Sequence, residues 1–352
     1  MRAESFHARL TIISVVLGAF TFGCGGGGVT FSPQTNQNVQ TTSDAPQALQ
    51  LPMLGFVYTS APTEVRVING VSGASTQGAA LSLPAGVTAI SFAPGQKSAL
   101  VEVSGGGSVG AVSFQASQPG PLLTIAGAIS QPDIVAFSPT GAAAALYSAS
   151  EGQVQVISGF PGSPQLTRDL TSAQLPAAPQ MLAIADDGVT LLEGTADNAI
   201  YALAGSNPQL LANVSALGGI AFNPKSTNLL IFDRGAGTLS LMPNVGGAPS
   251  TQVIANGLTG LEGAALFASD GRNALIGGTK VTNVWEVNLQ TSQQHTLPLQ
   301  SPPAMLTLLR TPGDYLVAWQ PGGLAWIIDT NPPQGVVYLV PAAAATQPQV
   351  VQ

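Results

Sequence analysis

Charge, sulfur and histidine are the scarce commodities of this sequence. Its 352 residues include one cysteine, two histidines and three lysines (Lys97, Lys225 and Lys280). A lone cysteine, Cys24, excludes an internal disulfide, which leaves export from the cytoplasm open. His7 falls in the first, apolar segment, so His295 is the one histidine of the body, and a Cys/His zinc site is excluded. Charged residues make up 8% of the chain, against about 25% in an ordinary globular protein. The ten basic residues are scattered among seventeen acidic ones, giving a formal charge of −7. Without a basic stripe, nucleic-acid binding and polybasic attachment to anionic lipid are both disfavoured.

Apolar residues, at 45%, are plentiful, as are glycine (41) and proline (27). Low charge with high apolar content speaks against disorder. Few windows carry a 3.6-residue apolar period with caps, whereas short apolar runs rich in Val, Ile, Leu and Thr alternate with turn residues. The expectation is an all-β protein.

The N-terminus has its own grammar. Arg2 and Arg9 precede an uncharged run, Leu10 to Phe22, "LTIISVVLGAFTF". That run is shorter than the roughly 20 residues of a membrane-spanning helix and fits the apolar core of a signal peptide. Thr21-Phe22-Gly23-Cys24 closes it, and this segment resembles a bacterial lipoprotein signal. In that family a small residue precedes a cysteine that is acylated and becomes the mature N-terminus. Thr21 departs from the family's usual aliphatic residue, and Phe22 is bulky for its place. The resemblance implies a signal peptide over residues 1–23 and lipidation at Cys24, hence a partner in membrane lipid and a location in the cell envelope. More than one acyl chain gives stable anchoring. Residues 24–50, with four glycines after Cys24 and a Ser/Thr/Gln-rich run, read as a flexible tether. If Cys24 is not acylated, the protein is simply secreted.

The body, residues 51–352, repeats. Six units begin at Gly86, Pro132, Ala178, Leu217, Leu261 and Pro303, each an apolar strand, a Pro/Asp/Gly turn, a second strand, a short turn and further strands. Their first turns, at Pro94, Pro139, Asp186, Pro224, Ser269 and Pro312, are spaced by 45, 47, 38, 45 and 43 residues. That is the period of four-stranded β-propeller blades. Three strands near 55–59, 64–69 and 78–83 precede the first unit, so seven blades are expected, with six as the alternative. The seventh needs a strand from a chain end. "TQPQVVQ" at the C-terminus and "ALQLPM" at Ala48–Met53 are the candidates, joining the ends to close the ring.

Val57-Tyr58-Thr59-Ser60, the alternating Val65, Val67 and Ile68, and Pro84-Ala85-Gly86-Val87 with Phe92, Pro94 and Gly95 resemble the YVTN-type propeller repeat. Later units lack its Asp-Gly pair in most copies. The resemblance implies the fold and is silent about activity.

Candidate chemistry is sparse. Asp186 and Asp187 are adjacent but occupy a turn. A "GxSxG" match, Gly106–Gly110, puts Ser108 where a nucleophile would sit, without the following helix such an elbow requires. Asp133, Glu193 and Glu262 are the acids that could, by position, face inward to a central channel. Trp285, Trp319 and Trp326, with Tyr315, read as packing between blades or as an aromatic patch for a ligand. Arg234 and Arg272 flank turn aspartates and could fix those loops by local pairing. The expectation is a non-catalytic, monomeric binding or scaffold module without cofactor or metal, displayed toward an envelope protein or extracellular ligand. A propeller hydrolase or lactonase, with its site at the channel, is the alternative.

Overall fold

In the computed structural model, residues 52–342 are described, apart from 61–62, 106, 116, 205–206, 248–249, 262–264, 268–269, 279, 304–305 and 320–322. Cys24, the apolar N-terminal run and "TQPQVVQ" therefore lie outside the described residues, as does Glu262.

Among the described residues the strands form seven antiparallel sheets in sequence order, six of four strands and one of three. Blade 1 is Met53–Ser60, Thr63–Val71 and Ala74–Ala80. Blade 2 runs from Val87–Phe92 to Leu122–Thr124, blade 3 from Ile134–Phe137 to Gln165–Thr171, and blade 4 from Pro179–Ile184 to Gln209–Asn213. Blade 5 runs from Leu217–Phe222 to Gln252–Ala255, blade 6 from Ala265–Phe267 to Gln294–Pro298, and blade 7 from Thr307–Leu308 to Val336–Val340. Among the described residues, helix is confined to one 3-10 turn, Ser172–Gln174.

Seven separate apolar clusters sit between the blades. One joins blades 1 and 2 around Phe56, Phe92 and Phe114. Others join each successive pair, and the last joins blade 7 to blade 1 through Leu316 and Ile327 against Leu54, Val57 and Ile68. Seven sheets with seven interfaces make a closed ring. The protein is a seven-bladed β-propeller.

Burial is deepest in the second strand of each blade. Ala143–Ser148 and Leu191–Thr195 are buried along their whole length. The innermost strand Ile134–Phe137 is half-exposed throughout. Sequence alone places both kinds equally deep, since "IVAF" and "AAALY" are equally apolar. They differ because second strands are covered by blades on either side, while innermost strands face the central channel. Outermost strands alternate toward solvent, as in Gln165–Thr171.

The turns between first and second strands gather at one end of the channel and interlock. Gly141 in the blade 3 turn has φ +73°, and a Cβ there would lie 3.0 Å from the Ala93 Cβ of the blade 2 turn. Only glycine meets both conditions comfortably.

Blade 1 differs from the rest. In the other blades the innermost strand ends at the turn end of the channel, whereas Met53–Ser60 begins there. The Leu54 carbonyl accepts a bond from the Arg310 N–H in the blade 7 turn at 3.1 Å. Met53–Ser60 therefore runs as a second strand, and blade 1 consists of second, third and fourth strands, in keeping with the count from the sequence. Of the two candidates for the extra strand, "TQPQVVQ" and the Ala48–Leu51 part of "ALQLPM" lie outside the described residues. Within the latter, Met53 opens Met53–Ser60 itself, and the Pro52 carbonyl extends the pairing by accepting from the Gly70 N–H at 2.6 Å.

Candidate functional site: the central channel

Inner strands and first turns of blades 2, 3, 4, 5 and 7 enclose a cavity of about 600 Å³. Phe92, Phe137, Phe222, Ile184, Leu306 and Leu308 give it an apolar wall. Polar groups enter from the turn end, where Lys97, Thr140, Lys225 and Arg310 line it. Lys97, Thr140 and Lys225 are exposed there, and Arg310 is half-buried.

The wall at blade 1 is built without a described innermost strand, and side chains stand in its place. Gln96, buried and with φ +49°, projects from the blade 2 turn onto the edge of Met53–Ser60. Its Oε1 accepts from the Phe56 N–H at 2.6 Å and its Nε2 donates to the Phe56 carbonyl at 2.9 Å, as a neighbouring strand would. Gly55 makes the approach possible, because a Cβ there would fall 2.5 Å from Gln96 Oε1 and 2.8 Å from Leu309 Cδ2. Across the same gap the Gly95 N–H donates to the Leu308 carbonyl at 3.1 Å, linking blade 2 directly to blade 7. Tyr58 meets the Thr307 side chain and the Phe92 backbone, and burial pushes its hydroxyl above the usual tyrosine range despite those bonds.

Arg310 crosses this seam. Its guanidinium carbon lies 5.2 Å from the centre of the Phe56 ring, and Nη1 donates to the Gln115 carbonyl at 3.1 Å. Nε and Nη2 are buried and make no hydrogen bond to the described residues. Desolvation lowers its pKa, the direction expected of a cation drawn out of water.

The acids anticipated from sequence stand elsewhere or act structurally. Asp186 is at the turn end of the channel, and both its oxygens are engaged. Oδ1 accepts from the Thr140 N–H at 2.8 Å and Oγ1 at 2.6 Å, and Oδ2 accepts from the Lys225 N–H at 2.8 Å, clasping blades 3, 4 and 5 together. Asp187 bonds the Val189 and Thr190 amides of its own turn. Desolvation, the largest single influence, pushes its carboxyl up, but the Thr190 hydroxyl and the Thr190 and Val189 amides together outweigh it and hold the carboxyl below the usual range. Asp133 accepts from the Ala149 N–H at 2.7 Å in a blade 3 loop and is not part of the cavity wall. Glu193 is fully buried in the second strand of blade 4, away from that wall, and its pKa is pushed up to about 7, chiefly by burial.

Ser108 lies in a loop of blade 2 that leads into the strand Gly110–Ser113, so no helix follows it. His295 is in the outermost strand of blade 6, directly opposite Glu286, and is not brought beside Ser108 of blade 2. Among the described residues, no group of three His, Cys, Asp or Glu side chains could hold a metal ion. Trp285 and Trp326 are half-buried and pack against the interfaces of blade 6 with blades 5 and 7 respectively. Tyr315 is buried at the latter and reaches the channel wall, while the Trp319 side chain is outside the description. The loops at Arg234 and Arg272 are fixed by their aspartates rather than by ion pairs. Asp233 accepts from the Ser215, Ala216, Gly235 and Ala236 amides, and Asp270 from the Arg272 backbone N–H at 2.9 Å.

No known protein-family model matches the chain, and no curated protein matches it by sequence. Solved structures do resemble it. A protein of unknown function from Desulfotomaculum acetoxidans superposes with a TM-score of 0.56 at 11% identity, over 83% of this chain and all of that one. A candidate 6-phosphogluconolactonase from Bacteroides fragilis gives 0.53 at 17% identity, over 85% of this chain and 95% of that one. Hydrazine synthase from Kuenenia stuttgartiensis gives 0.52 at 12% identity, over 88% of this chain and all of that one. These likenesses extend to the fold alone.

Proposed function

We propose that the protein is an extracytoplasmic propeller, tethered through acyl groups on Cys24, that serves as a non-catalytic binding or scaffold module. The YVTN-type repeat resemblance belongs to the same reading. The observation that carries it is the character of the channel: an apolar cavity whose described polar lining is cationic or hydroxylic. Such a surface holds a ligand, whereas general acid-base chemistry calls for groups that exchange protons near neutrality. The lipid anchor rests on the resemblance of Thr21-Phe22-Gly23-Cys24 to a lipoprotein box.

The alternative, a channel-sited lactonase, draws on the likeness to the Bacteroides fragilis protein. It is measured directly by assaying hydrolysis of 6-phosphogluconolactone.

The first test is the intact mass of the protein from its native membrane fraction, beside a Cys24→Ala variant. The expected species begins at Cys24 with added acyl mass, and the variant loses both the mass and membrane association. An unmodified, soluble protein cleaved elsewhere overturns the tether and leaves a secreted propeller. Crosslinking of the anchored form in the intact envelope then identifies a protein partner.

A further inference from the structure

We infer that the central channel is a binding site for a small apolar molecule carrying a carboxylate, with the carboxylate at the turn end. This deepens the binding-module reading and rests on it. Ten residues of the chain are basic; Arg2 and Arg9 belong to the N-terminal segment, and three of the remaining eight line this one cavity. In a protein of net charge −7, that concentration of positive charge stands out. Lys97, Lys225 and Arg310 reach it from the first turns of blades 2, 5 and 7, so the propeller fold itself brings them together. The carboxylate already at that end, Asp186, has its oxygens occupied by Thr140 and by the Lys225 backbone. The ion pair of Arg66 with Glu64 lies away from the channel.

The exposed side chains of Lys97 and Lys225 are the donors a carboxylate reaches directly, and half-buried Arg310, held against Phe56 and on the Gln115 carbonyl, adds its positive charge to the same end. Beyond the cations the cavity lining is mostly apolar, with the half-buried Phe137, Leu306 and Leu308 in its wall. The body of the ligand is therefore apolar, and Phe137 suits an aromatic one. The roughly 600 Å³ available is in the range of ordinary small-molecule sites.

The test is isothermal titration of the full chain with 2-naphthoate and, separately, with its neutral counterpart 2-naphthamide. The expected result is one site per chain for naphthoate, weakened on raising salt, with naphthamide bound at least about tenfold more weakly. A Lys97→Gln/Lys225→Gln variant alters exposed side chains and should keep the wild-type melting temperature while losing about tenfold in naphthoate affinity. Ala221→Trp, which narrows the cavity from the blade 5 wall, should abolish binding of both compounds. No naphthoate binding, equal affinity for the amide, or a double variant that binds as wild type would each overturn the assignment. Because the Cys24 mass measurement is independent of the channel, a negative titration with a positive anchor removes this ligand class and leaves the tethered module standing.

Discussion

Glu193 is a residue whose environment makes a pH dependence. It lies in the middle of Leu191–Thr195 with no exposed surface, and its carboxyl is raised from 4.5 to about 7. Burial is the main cause; the Ala177 backbone opposes it and the Asp197 charge adds to it. Between those two values the folded protein holds a proton that the unfolded chain has released, so folding stability falls as pH rises from 4.5 through about 7. Asp314, likewise raised to about 6 by burial despite bonds from the Ser72 hydroxyl, adds in the same direction. Asp233 acts oppositely at the acid end. Hydrogen bonds from Ser215 and neighbouring amides outweigh its desolvation and bring it from 3.8 to about 2, so its contribution is present above 3.8 and lost as pH falls toward 2. Thermal stability should therefore peak in mildly acidic solution, near pH 4 to 5. Glu193→Gln should raise the melting temperature at pH 8 by more than at pH 5 and flatten the profile between them. Equal shifts at both values would show that Glu193 does not titrate in this range.

At the scale of the strand, the packing hierarchy predicts which substitutions matter. Leu146, in the second strand of blade 3, is fully buried at the interface with blade 2, while Leu123 in an outermost strand of blade 2 is 44% exposed. Leu146→Ala should cost about 2–5 kcal/mol by urea denaturation, and Leu123→Ala well under about 1 kcal/mol. The strand order behind this contrast was legible in the sequence, because it depends on local chemistry. Pro94-Gly95, Pro139 with Gly141, Asp186-Asp187-Gly188 and Pro312-Gly313 mark the first turns, and their spacing gives the blade. What lines the channel was not legible. Innermost and second strands are written with the same apolar alphabet, and their difference in burial comes from the closed ring. Acids such as Asp133 and Glu193 drew attention as the chemically capable side chains of the chain. The channel instead takes Lys97, Lys225 and Arg310, whose convergence depends on turns far apart in sequence. Arg310 and its acceptor at Gln115 are 195 positions apart, a relation no local pattern carries.

For the whole molecule, the decisive question is how the ring closes, since a closed propeller has no free edge and each blade leans on two others. Among the described residues the seam at blade 1 depends on Gln96, whose amide bonds both backbone groups of Phe56. Removing it leaves a buried N–H and a buried carbonyl unsatisfied, at about 1–3 kcal/mol each. Gln96→Ala should therefore cost about 2–6 kcal/mol. Gly55→Ala should act through the same contact, because its new Cβ would lie 2.5 Å from Gln96 Oε1 and displace the amide that makes both bonds. If the two residues form one device, the double variant should be little less stable than the worse single variant, a coupling well outside the about 0.3–0.5 kcal/mol scatter of independent sites. Urea unfolding of the four proteins measures this directly. Strong non-additivity with an unchanged denaturant slope places the closure of blades 7, 1 and 2 on Gln96. Additive losses would mean that Gly55 and Gln96 serve separate contacts, and that the seam is held chiefly by the apolar cluster joining Leu54, Val57 and Ile68 to Leu316 and Ile327.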